Sequence, residues 1–487
     1  MSDRSRQHPV AAITNVIEIV RNNFITILII VFVGSGTDEQ SLVNLYWLLG
    51  TIAVLLIWGV LTWLRFTYQV VDGEFRVQKG ILVRKKLYLT ADRIQVIDIS
   101  AGIVQRMFGL VSVEVKTAGS SSKQARLSAI TRGEAELLQK LLRKPADVEA
   151  HEEVAEEVAY QLDLKNLLIT ASTSGSFGIA LSIVGTVYTQ IDQVVSEERM
   201  IHFIQNELPA FYSGNMVFYS IILIILVSWL LTFFGTLIKY AGFNVVLRNE
   251  EMVISKGLFE RKQLTIPFNR IQAIQIKEEL LRQPLGYANV VLESAGYDEE
   301  GGKATTLCPL IKKRELSSFL SKVIPEFDVQ VGSVTVPGVS LRRYIFRMMI
   351  VASMVVIPIW AFIPYGIYSL FFMPIAVLLG YGQYLAAAVG SGENTLIMRY
   401  RKLSKVTAII KRYRVQAVEL KSTPFQRRLN LVTLTIQVAS GQQGRSFSIW
   451  DLSKPLGIYY WDWVSPERSF TDERIVEQPL LTLPAIS

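Results

Sequence analysis

Three short tracts repeat the same chemistry along the chain: Arg93-Ile94-Gln95, Arg270-Ile271-Gln272 and Arg414-Val415-Gln416. A guanidinium presents a planar fork of donors that suits phosphate, so Arg93, Arg270 and Arg414 are candidate anion ligands. The competing reading pairs each with a carboxylate on a neighbouring strand or loop, since three copies can share a residue for folding alone. A second set, Lys79, Arg84, Lys85 and Lys86, recurs as Lys256, Arg261 and Lys262 around a glycine. Cations close to an anionic membrane surface contribute about 1 kcal/mol each. These turns are therefore candidate lipid-headgroup sites, with a solvated charged hairpin as the plain alternative. A third set, residues 104–109, 281–286 and 425–430, mixes basic and apolar side chains over about one helical turn. It suits an amphipathic contact with membrane or partner; the simpler expectation is that its apolar side closes its own domain.

The inventory for catalysis is thin. The histidines, His8, His151 and His202, are scattered, with no second histidine at metal-ligand spacing. His151-Glu152 begins no zinc-protease pattern, because Ala155 stands where the second histidine belongs. Nucleophile-elbow, phosphate-loop and dinucleotide-binding patterns are absent from the sequence. A single cysteine, Cys308, allows neither a disulfide framework nor a thiolate metal cage. The expectation is binding without catalysis, with no cofactor, no metal and no small-molecule substrate.

Half of the 487 residues are hydrophobic and 19% are charged, too apolar for an ordinary soluble chain and too charged for one wholly in the membrane. Both kinds of region are expected. The net charge of +8 then reads as cytoplasmic Lys and Arg facing anionic lipid, not as a nucleic-acid surface. Apolar runs at 42–64, 216–237 and 344–364 match the roughly 20 residues that cross a bilayer. Weaker runs at 16–33, 167–187 and 365–389 would complete six spans in three hairpins. Glu18, Arg21 and Arg347 fall near the cytoplasmic ends of these runs, where snorkelling explains them. Gly175, Gly178 and Gly185 suit close helix packing. The connections inside the hairpins hold one basic residue, Arg199, so both termini and the three long segments are expected in the cytoplasm. The polar, basic start MSDRSRQHPV has no small-residue cleavage site after the first apolar run, so that span is expected to stay in the membrane.

The long segments are repeats. Residues 79–119 and 256–296 align without a gap, matching Gly80 with Gly257, Arg84 with Arg261, Lys85 with Lys262, and Gly109 with Gly286. The third copy has Arg401 at the turn glycine and Asn430 at the second glycine, and is the divergent one. Alternation such as Val111, Val113 and Val115 predicts half-buried strands. Gly80 and Gly257 suit hairpin turns, and helical patterns at 132–142 and 312–323 close the first two copies. The acidic stretch 147–163 carries Val154, Val158 and Leu162 on one stripe and reads as an amphipathic helical linker. The organisation is then a tail and hairpin (1–64), a first domain (65–146), a linker (147–165), a second hairpin (166–239), a second domain (240–330), a linker and third hairpin (331–390), and a third domain with tail (391–487).

Arg93-Ile94-Gln95, followed by Gln105-Arg106-Met107-Phe108-Gly109-Leu110 and Thr117-Ala118-Gly119, resembles the bacterial pleckstrin-homology-like domain of membrane proteins. Three such domains behind hydrophobic hairpins resemble the YdbT-like family over nearly the whole chain. The resemblance implies an α+β membrane protein whose domains are partly open β-barrels closed by a C-terminal helix. It further implies a shorter, one-domain YdbS-like membrane protein as partner, no catalytic residues, and roles in envelope stress and protection against membrane-active peptides. The function expected is an assembly platform in the bacterial cell membrane that binds a partner protein, membrane lipid or both. A lipid or peptide exporter is the alternative. A separate task for one domain is expected of the third.

Overall fold

A computed structural model describes residues 5–22, 40–71, 73–81, 83–91, 94–117, 125–142, 157–175, 177–188, 216–248, 251–295, 304–327, 332–362, 366–440 and 444–465. They divide into two compact units, Met1–Asn269 and Arg270–Ser487.

In the first unit β1 (Thr67–Val71), β2 (Glu74–Lys79) and β3 (Lys85–Thr90) form an antiparallel sheet. Strands β4 (Ile94–Ala101), β5 (Leu110–Thr117) and β6 (Ala125–Thr131) begin a second. Side chains alternate across a strand, so Tyr68, Phe75, Val77 and Leu89 turn inward against Val111, Val113, Val115 and Leu127. Helix Arg132–Leu142 closes this core with Ala135, Leu138 and Leu142. Each buried Leu or Val contributes roughly 1.5–3 kcal/mol relative to exposure.

The second sheet does not end with β4. Strands β7 (Glu157–Gln161), β8 (Asn244–Arg248), β9 (Glu251–Lys256) and β10 (Arg261–Pro267) extend it in the order β6-β5-β4-β10-β9-β8-β7. Copy one thus shares a sheet with copy two, Ala101 lying opposite Arg261. The second unit repeats the device. Its strands β11 (Ile271–Glu278), β12 (Tyr287–Ser294), β13 (Thr305–Lys312), β14 (Val334–Thr335), β15 (Ala388–Ser391), β16 (Thr395–Arg401) and β17 (Lys405–Lys411) run β13-β12-β11-β17-β16-β15-β14. Glu278 lies opposite Lys405. Both junctions have one register: the eighth residue after one copy's tract arginine faces the ninth residue before the next copy's. A last sheet, β18 (Val415–Lys421), β19 (Leu431–Val438) and β20 (Arg445–Ser453), packs Leu434, Ile436, Phe447 and Ile449 against Leu396, Met398 and Ile410. Helix Lys454–Val464 closes that core through Tyr460.

The Glu278 side chain is 7% exposed, and Lys405 Nζ lies 3.1 Å from its carboxylate while Lys313 pairs with it as well. Burial pushes the carboxyl up, but the hydrogen bonds and charges of Lys313 and Lys405 together outweigh it and hold Glu278 below the ordinary carboxylate range. A group held low in the folded state stabilises above its unfolded value, and the contribution is lost as pH falls through the folded value. Acid unfolding of the full chain should therefore be less steep for Glu278→Gln below the ordinary carboxylate range; equal acid sensitivity would contradict this.

Among the described residues three helices are long and apolar enough to cross a membrane: Tyr219–Tyr240, Ser340–Phe362 and Gly366–Ala386. Helix Gln40–Arg65 carries the run expected at 42–64. The run expected at 16–33 is described only at its start, in helix Val10–Asn22; residues 23–39 lie outside the described residues. That start is docked on its own domain, Glu18 pairing with Arg126 Nη1 at 2.5 Å and Asn15 Oδ1 accepting from Ser128 Oγ at 2.8 Å. Glu18 is therefore a clamp and not a snorkelling charge.

The expected span at 167–187 is broken into helices Leu164–Ser172 and Phe177–Tyr188. Trp229 Nε1 donates to the freed Ser172 carbonyl at 3.3 Å. Among the described residues a Cβ on Gly178 or Gly185 would meet nothing within 4 Å, so neither is a point of close packing there. Close approach occurs instead at Gly380, where a Cβ would come 2.7 Å from Ile345 Cα.

The expected helical linker also differs. Residues 157–161 are β7, because the outer edge of β8 offers backbone groups that need partners, and sheet pairing overrides the helical stripe. Residues 147–156 lie outside the described residues. With Ser5 bridging Tyr68 and β14 pairing β15, each copy begins with a strand segment placed before its apolar helices.

Candidate binding surface

At the β2–β3 turn Gly80 adopts φ 110°, and a Cβ there would collide with the Val83 carbonyl. The turn sets Lys79 directly opposite Lys85 and Gln78 opposite Lys86. Lys79, Arg84, Lys85 and Lys86 are all exposed. Like charges facing each other across antiparallel strands are destabilising, so this end of the sheet favours an anion. Copy two differs. Lys256 is 5% exposed, Lys262 Nζ lies 3.8 Å from Glu260, and Arg261 belongs to the strand paired with β4. The second cationic set is therefore not a free cluster, although its turn is the same, with Gly257 at φ 107°.

Of the tract arginines, Arg93 lies outside the described residues. Arg270 ends the turn Phe268–Arg270 half-buried, its carbonyl accepting from Ala295 N–H and Gln272 Nε2, each at 3.0 Å. Arg414 ends the turn Arg412–Arg414, its guanidinium carbon 4.9 Å from the centre of the Tyr413 ring. Neither forms an ion pair with a described carboxylate, and each sits in its own turn.

The amphipathic turns overturn the expectation that their apolar side closes the domain. Met107 and Phe108 are 77% and 56% exposed, Leu281 and Leu285 58% and 57%, and Phe425 and Leu429 68% and 44%. A polar side chain does the closing. Gln105 Nε2 donates to the Ser128 carbonyl and Arg282 Nη1 to the Pro309 carbonyl, both at 3.1 Å, while Gln426 Nε2 donates to Asp451 Oδ1 at 2.8 Å. These three aligned residues are buried. Because the last strand's polar groups must be satisfied from this turn, the apolar side chains are left outside. The signal was present in the sequence as a long polar residue at one position of every copy.

Asp451 anchors a second constellation that the sequence did not reveal. It is fully buried with φ 57°, and its carboxylate accepts from Arg343 Nε and Arg347 Nη2, each at 2.8 Å. Ser340 Oγ and the Tyr344 hydroxyl donate to the Asp451 and Trp450 carbonyls, both at 2.7 Å. Arg347 also lies 4.0 Å over the Trp450 ring. The start of helix Ser340–Phe362 is thus clamped to β20, and Arg347 is an ion-pair partner and not a snorkelling charge. Two arginines of the third hairpin are likewise engaged: Arg399 Nε donates to the Ala386 carbonyl at 3.1 Å and Arg401 Nη2 to Gln283 Oε1 at 2.5 Å. Among the described residues no three His, Cys, Asp or Glu side chains converge as a metal would require.

Repeated two-sheet domains closed by a helix, joined to long apolar helices and bearing cationic and apolar turns, define a membrane protein of repeated pleckstrin-homology-like domains. The bacterial PH domain family model matches residues 15–146, 198–325 and 331–467, and the chain belongs to that family. It is similar to the UPF0699 transmembrane protein YdbT of Bacillus subtilis (strain 168), with 32% identity covering 96% of this chain and 99% of the relative. No solved structure matches it significantly.

Proposed function

We propose that the chain is a non-enzymatic, multi-pass protein of the bacterial cell membrane, with six spans in three hairpins and both termini cytoplasmic. Its PH-like domains act as an assembly platform for a partner membrane protein, anionic lipid or both. A shorter, one-domain YdbS-like protein is the partner we favour, in envelope stress or resistance to membrane-active peptides. The outward-facing apolar turns at Phe108, Leu285 and Phe425 carry this reading, because such residues in every copy have no role in their own core. Affinity purification of the full chain from its native membrane should repeatedly recover a specific membrane protein, anionic lipid or both. Recovery of neither would contradict the platform.

The cationic β2–β3 turn supplies the lipid half. At about 1 kcal/mol per charge before screening, replacing Lys79, Arg84, Lys85 and Lys86 with serine should lower the preference for anionic over neutral lipid more than tenfold. Lipid retained by the full-length variant, measured by mass spectrometry, checks this; unchanged retention would move the site elsewhere.

A second reading, lipid or peptide export, draws on the break between Ser172 and Phe177, since interrupted helices line the pathways of many transporters. Reconstituted full-length protein should show no lipid flip-flop or peptide efflux above empty vesicles. Robust transport would favour export.

A further inference from the structure

Copies one and two each lend the strand after their tract arginine to the first sheet of the next copy: β4 takes β10, and β11 takes β17. Copy three offers the matching strand, β18, and among the described residues only β19 pairs with it. Burial records the difference. Gln272 and Ala273 of β11 are 6% and 0% exposed, whereas their counterparts Gln416 and Ala417 of β18 are exposed. The adjoining turn is open in the same way. In copy one Arg106 Nη1 donates to the Leu258 carbonyl of the next hairpin at 2.7 Å, and in copy two Gln283 receives Arg401. Arg427, at the aligned position in copy three, donates to Ser422 Oγ of its own copy at 3.3 Å, with Phe425 exposed nearby.

We propose that β18 and the adjoining turn are the docking site for the hairpin of a further PH-like domain on a different polypeptide. The guest strand adds antiparallel to β18 in the register of the two internal junctions. This deepens the platform reading and rests on it. An unpaired edge presents a row of backbone donors and acceptors that strand addition satisfies, and here the same chain shows the required partner twice.

The chain's own spare hairpin, β2–β3, does not fit. In the shared register Ser422 would face Arg84, Lys421 would face Lys85, and Leu420 would face Lys86. The internal junctions avoid such a pair: Ser100 faces Lys262 and Lys277 faces Val406. Facing lysines are destabilising, and lysines on an edge strand are a common guard against strand addition. The edge at β3 is guarded and the edge at β18 is open. The guest is therefore another polypeptide, with a non-basic residue opposite Lys421.

A photo-reactive residue at position 417 of the full-length protein, in the cells that make it, tests this. The adduct is expected on a polypeptide carrying a PH-like domain, in the second strand of that domain's hairpin, and many times above the same probe at exposed Lys140. The double variant Gln416→Lys, Ala417→Lys should reduce recovery of that polypeptide several-fold. An adduct to β3 of a second copy, an adduct to a protein without a PH-like domain, or no adduct above the Lys140 control would overturn the proposal. If purification still recovers a partner protein or lipid while position 417 stays silent, the docking site fails and the platform stands. If nothing specific is recovered, both fail.

Discussion

Asp451→Ala is expected to destabilise the full chain by about 3–5 kcal/mol, the range for removing one partner of a buried charge pair. Two arginines depend on this carboxylate, and both side chains are about three-quarters buried, 23% and 26% exposed for Arg343 and Arg347. Their residual exposure places the effect toward the lower end. Gln426, which holds the turn of copy three, loses an acceptor at the same time. The left-handed backbone at Asp451 adds a cost of about 1 kcal/mol for alanine, whereas asparagine tolerates that conformation. Asp451→Asn should therefore fall between the wild type and Asp451→Ala. Chemical denaturation of the detergent-solubilised protein, followed by tryptophan fluorescence, reads the order directly. Wild-type stability in Asp451→Ala would mean that the clamp between β20 and helix Ser340–Phe362 is not made.

Gly257→Val carries the second large effect. At φ 107° a branched side chain is in forbidden backbone space, costing about 1–3 kcal/mol, and its Cβ would also collide with the Glu260 carbonyl. Relieving the collision means opening the hairpin that follows β9, whose second strand is the one paired with β4. The expected result is a loss of at least about 2 kcal/mol together with weakened pairing between Ala101 and Arg261. Arg401→Ala at the aligned position should cost only about 1 kcal/mol, since its bond to Gln283 is lost but no collision or left-handed strain arises. Denaturation curves of the two variants check the contrast, and similar losses in both would contradict it.

That contrast shows what the sequence disclosed and what it hid. The gapless match of copies one and two, with alternating Val111, Val113 and Val115, revealed the strands, the glycine turns and the closing helices of those copies. Arg401 replaces the turn glycine because the third hairpin closes one residue pair further on, Arg401 facing Lys405, and needs no left-handed residue there. Asn430 keeps the left-handed conformation of Gly109 and Gly286, at φ 53° against 66° and 71°. Helix Lys454–Val464 escaped notice because its aromatic, Pro- and Gly-containing sequence has weak helix preference. Proline at its start and the tight seat of Gly457 against Val432 fix it instead.

The site was less legible than the fold. Composition placed cations at Lys79, Arg84 and Lys85, but nothing local distinguishes their free hairpin from the engaged one at Arg261. Only pairing across the sheet does that. Arg347 and Glu18 read as charges near membrane ends because their partners, Asp451 and Arg126, lie about a hundred residues away in sequence. Long-range pairing also turned the stretch around Val158 from a helical stripe into an edge strand.

Neighbouring domains share a sheet at both junctions, in one register, and are not a string of separate modules. Cysteine pairs at Ala101 with Arg261, and at Glu278 with Lys405, measure that register in the full-length protein, because facing antiparallel residues about 4.5–5.5 Å apart lie within disulfide range. The native Cys308 is buried and does not compete. Mild oxidation is predicted to close both pairs, while Ala101 paired with Gln263, two residues out of register, should close far less. Failure of both matched pairs to close, or equal closure of the mismatched one, would contradict the shared sheets.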